Sequence, residues 1–276
     1  MKRNLIDFAL VAAAAFAMAS CAQKESYAPV QEETPEYVSF EFEANLPAET
    51  KTYNDGMKTF WKENDQIKVT FTGAWTGTQF IVDNPFTYNA DGKFVGTLEW
   101  EIIAGFFLSF SGGTLTAVYP FDADGTIPAS TVQTGYDSMA HLAGENCPLF
   151  GTTSLDWDQD YRELLKSGKY IFPAVTLNHL SSVLEVVVTN NTASAVEVSD
   201  VDFLVDGEVK ATTVVEGAGA LAAGETAKVY VVVEPETYAG SQISFQVNDT
   251  FEKKVTVDGD VTFTAGKIKK VNFSLN

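Results

Sequence analysis

Positive charge is scarce in this chain of 276 residues: 18 Lys+Arg stand against 37 Asp+Glu, for a formal net charge of −19. So acidic a surface repels phosphate backbones and anionic headgroups, which sets nucleic acid aside as a partner. The same charge keeps an extracytoplasmic β-protein soluble. Cysteine is scarcer still, at two, and so are the histidines, His141 and His179, and the arginines, Arg3 and Arg162. Two cysteines give no disulfide framework. No Ser/His/Asp or Cys/His arrangement stands out, so the chain does not read as an enzyme and no cofactor is expected. Both histidines read as packed or hydrogen-bonded residues. Long apolar runs are missing as well, since a spanning helix needs about 20 such residues and "EIIAGFFLSF" (101–110) is half that and interrupted by Gly105. It reads as a buried strand or strand pair. What is plentiful is aromatic surface, at 12%, which with this length argues for one large or two modest folded domains and against disorder.

The amino terminus combines a basic "MKRN", an apolar stretch from Phe8 to Met18 and a small-residue "MASC" ending in Cys21. That is the layout of a secretory signal peptide, and "MASC" resembles the lipobox of bacterial lipoproteins. The resemblance implies a signal peptide over residues 1–20 and acylation of Cys21, with an ordinary signal and an incidental Cys21 as the competing reading. One acyl chain holds a protein to a bilayer only marginally, at about 0.8 kcal/mol per buried methylene, whereas two or more anchor it durably. Residues 21–36, polar and proline-containing, read as a flexible tether. At 3.3–3.6 Å per residue it reaches roughly 50 Å. The "QKE" after Cys21 resembles short export tags that route lipoproteins to the outer leaflet, implying surface display at the cell outer membrane. Cys147, in "GENCPLF", is then a lone thiol and reads as buried.

From Tyr37 onward the pattern has period two. "VSFEFEA" sets Val38, Phe40, Phe42 and Ala44 on one face, with Ser39, Glu41 and Glu43 on the other. "IKVTF" repeats this with Ile67, Val69 and Phe71. "LTAVYPF", "SVLEVVVTN", "VDFLV", "KVYVVVEP", "ISFQV" and "FEKKVTVDGDVTFTAG" continue it, the last with an Asp258-Gly259 hairpin signal. Only "DQDYRELLKSG" (158–168) reads as a helix. Many short strands with frequent turns predict an all-β sandwich class, divided near the turn-rich stretch before residue 169. The expected bodies are an N-terminal sandwich over 37–168 and a C-terminal sandwich over 169–276.

Several segments, in order, resemble the fimbrillin-like lipoproteins of Bacteroidales. "TKTYNDGMKTFWKENDQIKVTF" (50–71) carries Thr50-Lys51-Thr52, Asp55-Gly56, Trp61 and Asn64-Asp65. "AVYPF" (117–121), "PASTVQTGYDSMAHL" (128–142), "LNHLSSVLEVVV" (177–188) and "FTAGKIKKVNFSL" (263–275) follow. The resemblance implies two transthyretin-like Greek-key β-sandwich domains and a place among pilus subunits and anchors. In that group a protease removes the first strand of shaft subunits, and a neighbour's strand fills the groove. No arginine lies near "VSFEFEA" here, so the first strand is expected to be retained, as in an anchor or accessory component; cleavage near Lys51 would reverse this. Partners on this reading are the outer membrane, through acylated Cys21, and other fimbrial subunits, through strand addition.

The alternative is a non-polymerising surface lipoprotein that binds a glycan or host ligand through its loops, with Trp75 and Trp157 as candidate aromatic platforms. Trp61, inside the signature, reads as core. Asp156, Asp158 and Asp160 alternate as in calcium loops, but Tyr161 and Ser167 stand where an EF-hand has Gly and Glu, so they read as a solvated acidic loop that also caps a helix, with calcium as the lesser alternative. Asp137-Ser138-Met139 fits a short O-glycosylation pattern, with Ser138 as the acceptor.

Overall fold

Strands dominate the part of the chain that the computed structural model describes, residues 37–46, 61–73, 79–99, 112–155, 168–256 and 258–276. The strands up to His179 are β1 (Tyr37–Phe42), β2 (Ala44–Asn45), β3 (Gln66–Gly73), β4 (Gln79–Ile81), β5 (Phe86–Tyr88), β6 (Phe94–Glu99), β7 (Gly113–Tyr119), β8 (Ser130–Thr134), β9 (Leu149–Leu155), β10 (Lys169–Ile171), β11 (Val175–Thr176) and β12 (Asn178–His179). Those after it are β13 (Ser182–Asn190), β14 (Val196–Glu197), β15 (Asp200–Val205), β16 (Glu208–Glu216), β17 (Ala220–Leu221), β18 (Thr226–Val233), β19 (Thr237–Ala239), β20 (Ile243–Val247), β21 (Phe251–Lys254), β22 (Asp260–Thr262) and β23 (Ile268–Leu275). Only three single-turn 3₁₀ segments interrupt them, and no α-helix occurs among the described residues. The fold class is all-β.

A first core gathers Val38, Phe40, Phe42, Ile67, Val69, Phe71, Phe86 and Phe94, the inward halves of β1, β3, β5 and β6. Its sheet runs β10-β1-β6-β5-β3-β7-β9-β12, with β4 added on β3. The two ends of that order, β10 and β12, belong to one stretch, which also pairs β11 with β2 on the way. One segment, residues 169–179, therefore bridges the two ends of the sheet, pairing with β1 and β2 at one end and with the start of β9 at the other. Packing is tight at Gly151: a Cβ there would lie 2.3 Å from the Thr176 carbonyl oxygen, so β11 passes where a side chain would stand.

A second core lies between the sheet β18-β13-β23 and the sheet β21-β20-β15-β16-β8. Leu184, Val186 and Val188 of β13, with Val229, Val231 and Val233 of β18, face it. The opposite face of the three-stranded sheet is buried too: Val183, Tyr230 and Val232 meet Leu142 and Cys147, with Ile127 and Met139 alongside. Two covered faces explain why "SVLEVVVTN" and "KVYVVVEP" are apolar in almost every register. The turn-rich stretch before residue 169 is thus partly a strap: residues 127–147 lie against β13 and β18, and β8 joins the second sheet by parallel pairing with β16.

The Asp258-Gly259 turn forms, with Gly259 at φ 90°. The hairpin expected around it does not, because β21 pairs with β20 while β22 pairs with β19. Phe263, just past β22, packs edge-on against Phe203 at 5.3 Å. That ring is buried in the second core. Residues 158–167 of the expected helix and the run 101–110 lie outside the described residues.

Candidate functional site

Strand β1 occupies a slot. It pairs antiparallel with β6 along its whole length and parallel with β10 through Ser39, Phe40 and Glu41. Val38, Phe40 and Phe42 point inward and are buried; Phe40 stacks on Phe172 at 5.1 Å, and Phe42 lies 5.7 Å from Phe86. Full burial of three such side chains contributes about 5–9 kcal/mol relative to leaving them in water. On the other face Glu41, although polar, is only 5% exposed. Its two carboxylate oxygens each accept from a lysine at 2.6 Å, Lys93 beside β6 and Lys169 of β10. Hydrogen bonds from Lys169 and then Lys93 hold the Glu41 carboxyl below the usual carboxylate range. The charge is therefore clamped between the two strands that flank β1.

The signature residues nearby serve the same slot. The Trp61 Nε1–H donates to the Ala44 carbonyl at 2.5 Å. Its ring meets Phe94 edge-on at 4.9 Å and Tyr119 at 5.3 Å, so it packs at the core margin as expected. Asn64, at φ 70°, turns the chain so that the Lys62 N–H reaches an Asp65 carboxylate oxygen at 2.6 Å.

Strand β18 is the other place where backbone groups would face an incoming strand, and side chains occupy them. The Tyr230 N–H donates to Gln133 Oε1 at 2.8 Å, and Gln133 Nε2 donates to the Lys228 carbonyl at 3.0 Å. The Lys228 N–H donates to an Asp137 carboxylate oxygen at 2.9 Å, and the Tyr230 carbonyl accepts from Thr213 Oγ1 and His141 Nε2, both at 3.0 Å. Asp137 reaches this position through a left-handed φ of 61°. The outer strands β21 and β23 instead carry Lys253, Lys254, Lys269 and Lys270, the charged edge that discourages pairing. Lys253 also reaches across to the Asn272 carbonyl of β23.

Of the residues singled out from the sequence, Cys21, Trp75, Trp157, Asp156, Asp158 and Asp160 lie outside the described residues. Ser138 is half-buried in the turn after Asp137. Cys147 is buried, and desolvation pushes its thiol up to about 11, so it stays protonated and unreactive at neutral pH. His179 is buried at β12, where burial lowers its pKa to about 4. His141 is shifted the same way by burial, so its Nε2 carries the proton it donates to Tyr230.

Two features carry no sequence signal. A cleft of about 530 Å³ opens between the β15–β16 turn and β19, with Asp206, Glu234, Glu236, Tyr238 and Gln242 on its walls. Asp200, Asp202 and Asp249 bring carboxylate oxygens within 4.8 Å of one another. This trio offers only acceptors, so its repulsion is relieved by a cation or by a proton on Asp202, whose pKa burial and then its acidic neighbours raise. Glu41 reads as a solvated face residue in the sequence; its clamp depends on lysines 52 and 128 residues away, a separation that no local pattern reveals.

No family model and no curated protein matches the chain. Among solved structures it is similar to two described as "putative cell adhesion protein". The one from Bacteroides ovatus ATCC 8483 has 14% identity, with 87% of this chain and 93% of that chain covered and a TM-score of 0.45. The one from Bacteroides uniformis ATCC 8492 has 14% identity, 86% and 93% coverage and a TM-score of 0.40. A fimbrial protein from Bacteroides ovatus ATCC 8483 is similar at 13% identity and a TM-score of 0.37; the match spans 87% of this chain and 50% of that one.

Proposed function

We propose that this chain is a lipid-anchored, surface-displayed protein of the fimbrillin-like kind, an anchor or accessory component of fimbriae that works by strand complementation and performs no catalysis. The observation that carries this reading is the β1 slot. The first strand of the domain, directly after the tether, is inserted between two others and supplies Val38, Phe40 and Phe42 to the core. A strand so placed completes a sheet that would otherwise present an apolar groove and two unpaired edges, the situation that strand addition resolves. Here the chain fills its own groove, which fits the absence of arginine near β1 and a retained strand. The ordered signature segments and the lipobox-like "MASC" support the same assignment. Acylated Cys21 would hold the protein at the outer membrane, with residues 21–36 carrying it clear of the bilayer.

Intact mass of the protein extracted from membranes tests this directly. The expected species begins at Cys21, carries acyl chains and retains residues 37–46. A mass that starts beyond Phe42 refutes the retained strand, and an unacylated species refutes the anchor.

A further inference from the structure

We infer that the β1 slot is coded for charge: Lys93 and Lys169 select a strand that places a carboxylate between two inward apolar side chains. This rests on the strand-complementation reading above and names what the complementing strand must contain. Backbone pairing alone is blind to sequence, and the inward pockets for Val38, Phe40 and Phe42 accept any alternating apolar strand of similar volume. Such a pattern recurs within this chain, in "IKVTF" and "VTFTA" for example. The outward face discriminates. At the register position opposite Val95 of β6 and Ile171 of β10, Glu41 meets one ammonium from each side, both at 2.6 Å; the carboxylate is nearly covered, while the Lys93 and Lys169 side chains stay 29% and 51% exposed.

A strand with a neutral residue there forfeits both charge-assisted hydrogen bonds and leaves two positive charges beside β1 with no negative charge from the strand. One with a lysine adds a third positive charge. A strand slipped by one residue sends Phe40 or Phe42 outward and an acid into the core. The lysine pair therefore fixes both register and identity, and the partner it fits is a β-strand of the form apolar-x-apolar-acid-apolar. β1 meets that form as Val38-Ser39-Phe40-Glu41-Phe42. A strand of another subunit that takes this position in an assembly must meet it too.

The test uses the full chain with one introduced cleavage site within residues 47–60, cut after folding so that β1 is held without a covalent link. Exchange is followed with a fluorescent peptide copying residues 35–46 and with two relatives carrying Glu41→Gln or Glu41→Lys. The expected result is retention of the native peptide at least tenfold above the Gln peptide, with the Lys peptide at background. In a Lys93→Gln, Lys169→Gln protein the native and Gln peptides should then be retained within about twofold of each other. Equal retention of all three peptides by the unsubstituted protein overturns the charge code and leaves strand addition standing. Exchange of none of them, with circular dichroism confirming a folded chain, overturns both.

Discussion

Truncating Gln133 should unseat the edge of β18, and the structure allows the loss to be worked out. Gln133 is fully buried and makes three hydrogen bonds: it accepts from the Tyr230 N–H at 2.8 Å and donates to the carbonyls of Lys228 at 3.0 Å and Gly135 at 2.9 Å. In Gln133→Ala the Lys228 carbonyl keeps the Asp137 N–H at 3.0 Å. The Tyr230 N–H keeps nothing, and a buried unpaired donor costs about 1–3 kcal/mol. The space left by the side chain adds to this, for a total of about 2–4 kcal/mol. Gln133→Met, close in shape but unable to pair, isolates the hydrogen-bond share. The assay is urea unfolding, read as a midpoint shift at constant slope, with amide hydrogen exchange at Tyr230 as the local readout. Both variants should lose stability, the Met variant less, and the Tyr230 amide should lose protection well before its neighbour Val231, which pairs toward β13. Stability within about 0.5 kcal/mol of the parent in the Ala variant, or an unchanged Tyr230 amide, would refute the claim that side chains close this edge.

Three further substitutions and conditions probe the rest of the fold. Phe40→Ala removes a fully buried ring stacked on Phe172 and should cost about 3–5 kcal/mol in calorimetry or denaturant unfolding. Gly151→Ala places a methyl 2.3 Å from the Thr176 carbonyl oxygen, a backbone atom with little freedom to yield. It should destabilise by about 1–3 kcal/mol and raise hydrogen exchange over residues 175–179 before the rest of the sheet. His179, neutral in the folded state with a pKa near 4 against an ordinary 6.5, binds a proton more readily when unfolded. Its contribution is therefore complete above about pH 6.5 and declines as pH falls toward 4, by up to about 3 kcal/mol. A His179→Gln variant should show a shallower decline over that window in pH-dependent unfolding.

Period-two alternation made the strands legible where the residues between the apolar ones are polar, even where, as at Glu41, such a residue is itself covered. "VSFEFEA" and "IKVTF" bury the residues their spacing selects, because polar positions between them face outward. Legibility falls where a strand is covered on both sides. In "SVLEVVVTN" Val183 and Leu184 are adjacent and both fully buried, so the sequence shows an apolar run without saying what covers its second face. The cover is the strap, whose short, irregular pieces offer little periodicity. Partners are less legible again: the Asp258-Gly259 turn was readable from two residues, but the strands on either side of it pair with β19 and β20, and Phe263 packs against Phe203, contacts far from it in sequence.

The family-like segments turn out to share one kind of task. Trp61 ties to the Ala44 carbonyl beside β1, Gln133 and Asp137 satisfy the exposed side of β18, and His179 sits in the stretch that bridges the ends of the first sheet, against Gly266 of the "TAGK" segment. Each occupies a point where an open strand edge or an end of the sheet would otherwise meet solvent. Satisfying those backbone groups from side chains leaves no unpaired donor or acceptor at these points. In this chain, then, residues of those segments seal points of the two sheets. The outward face of β1, where Glu41 sits between Lys93 and Lys169, is sealed by residues outside those segments, through charge rather than backbone pairing.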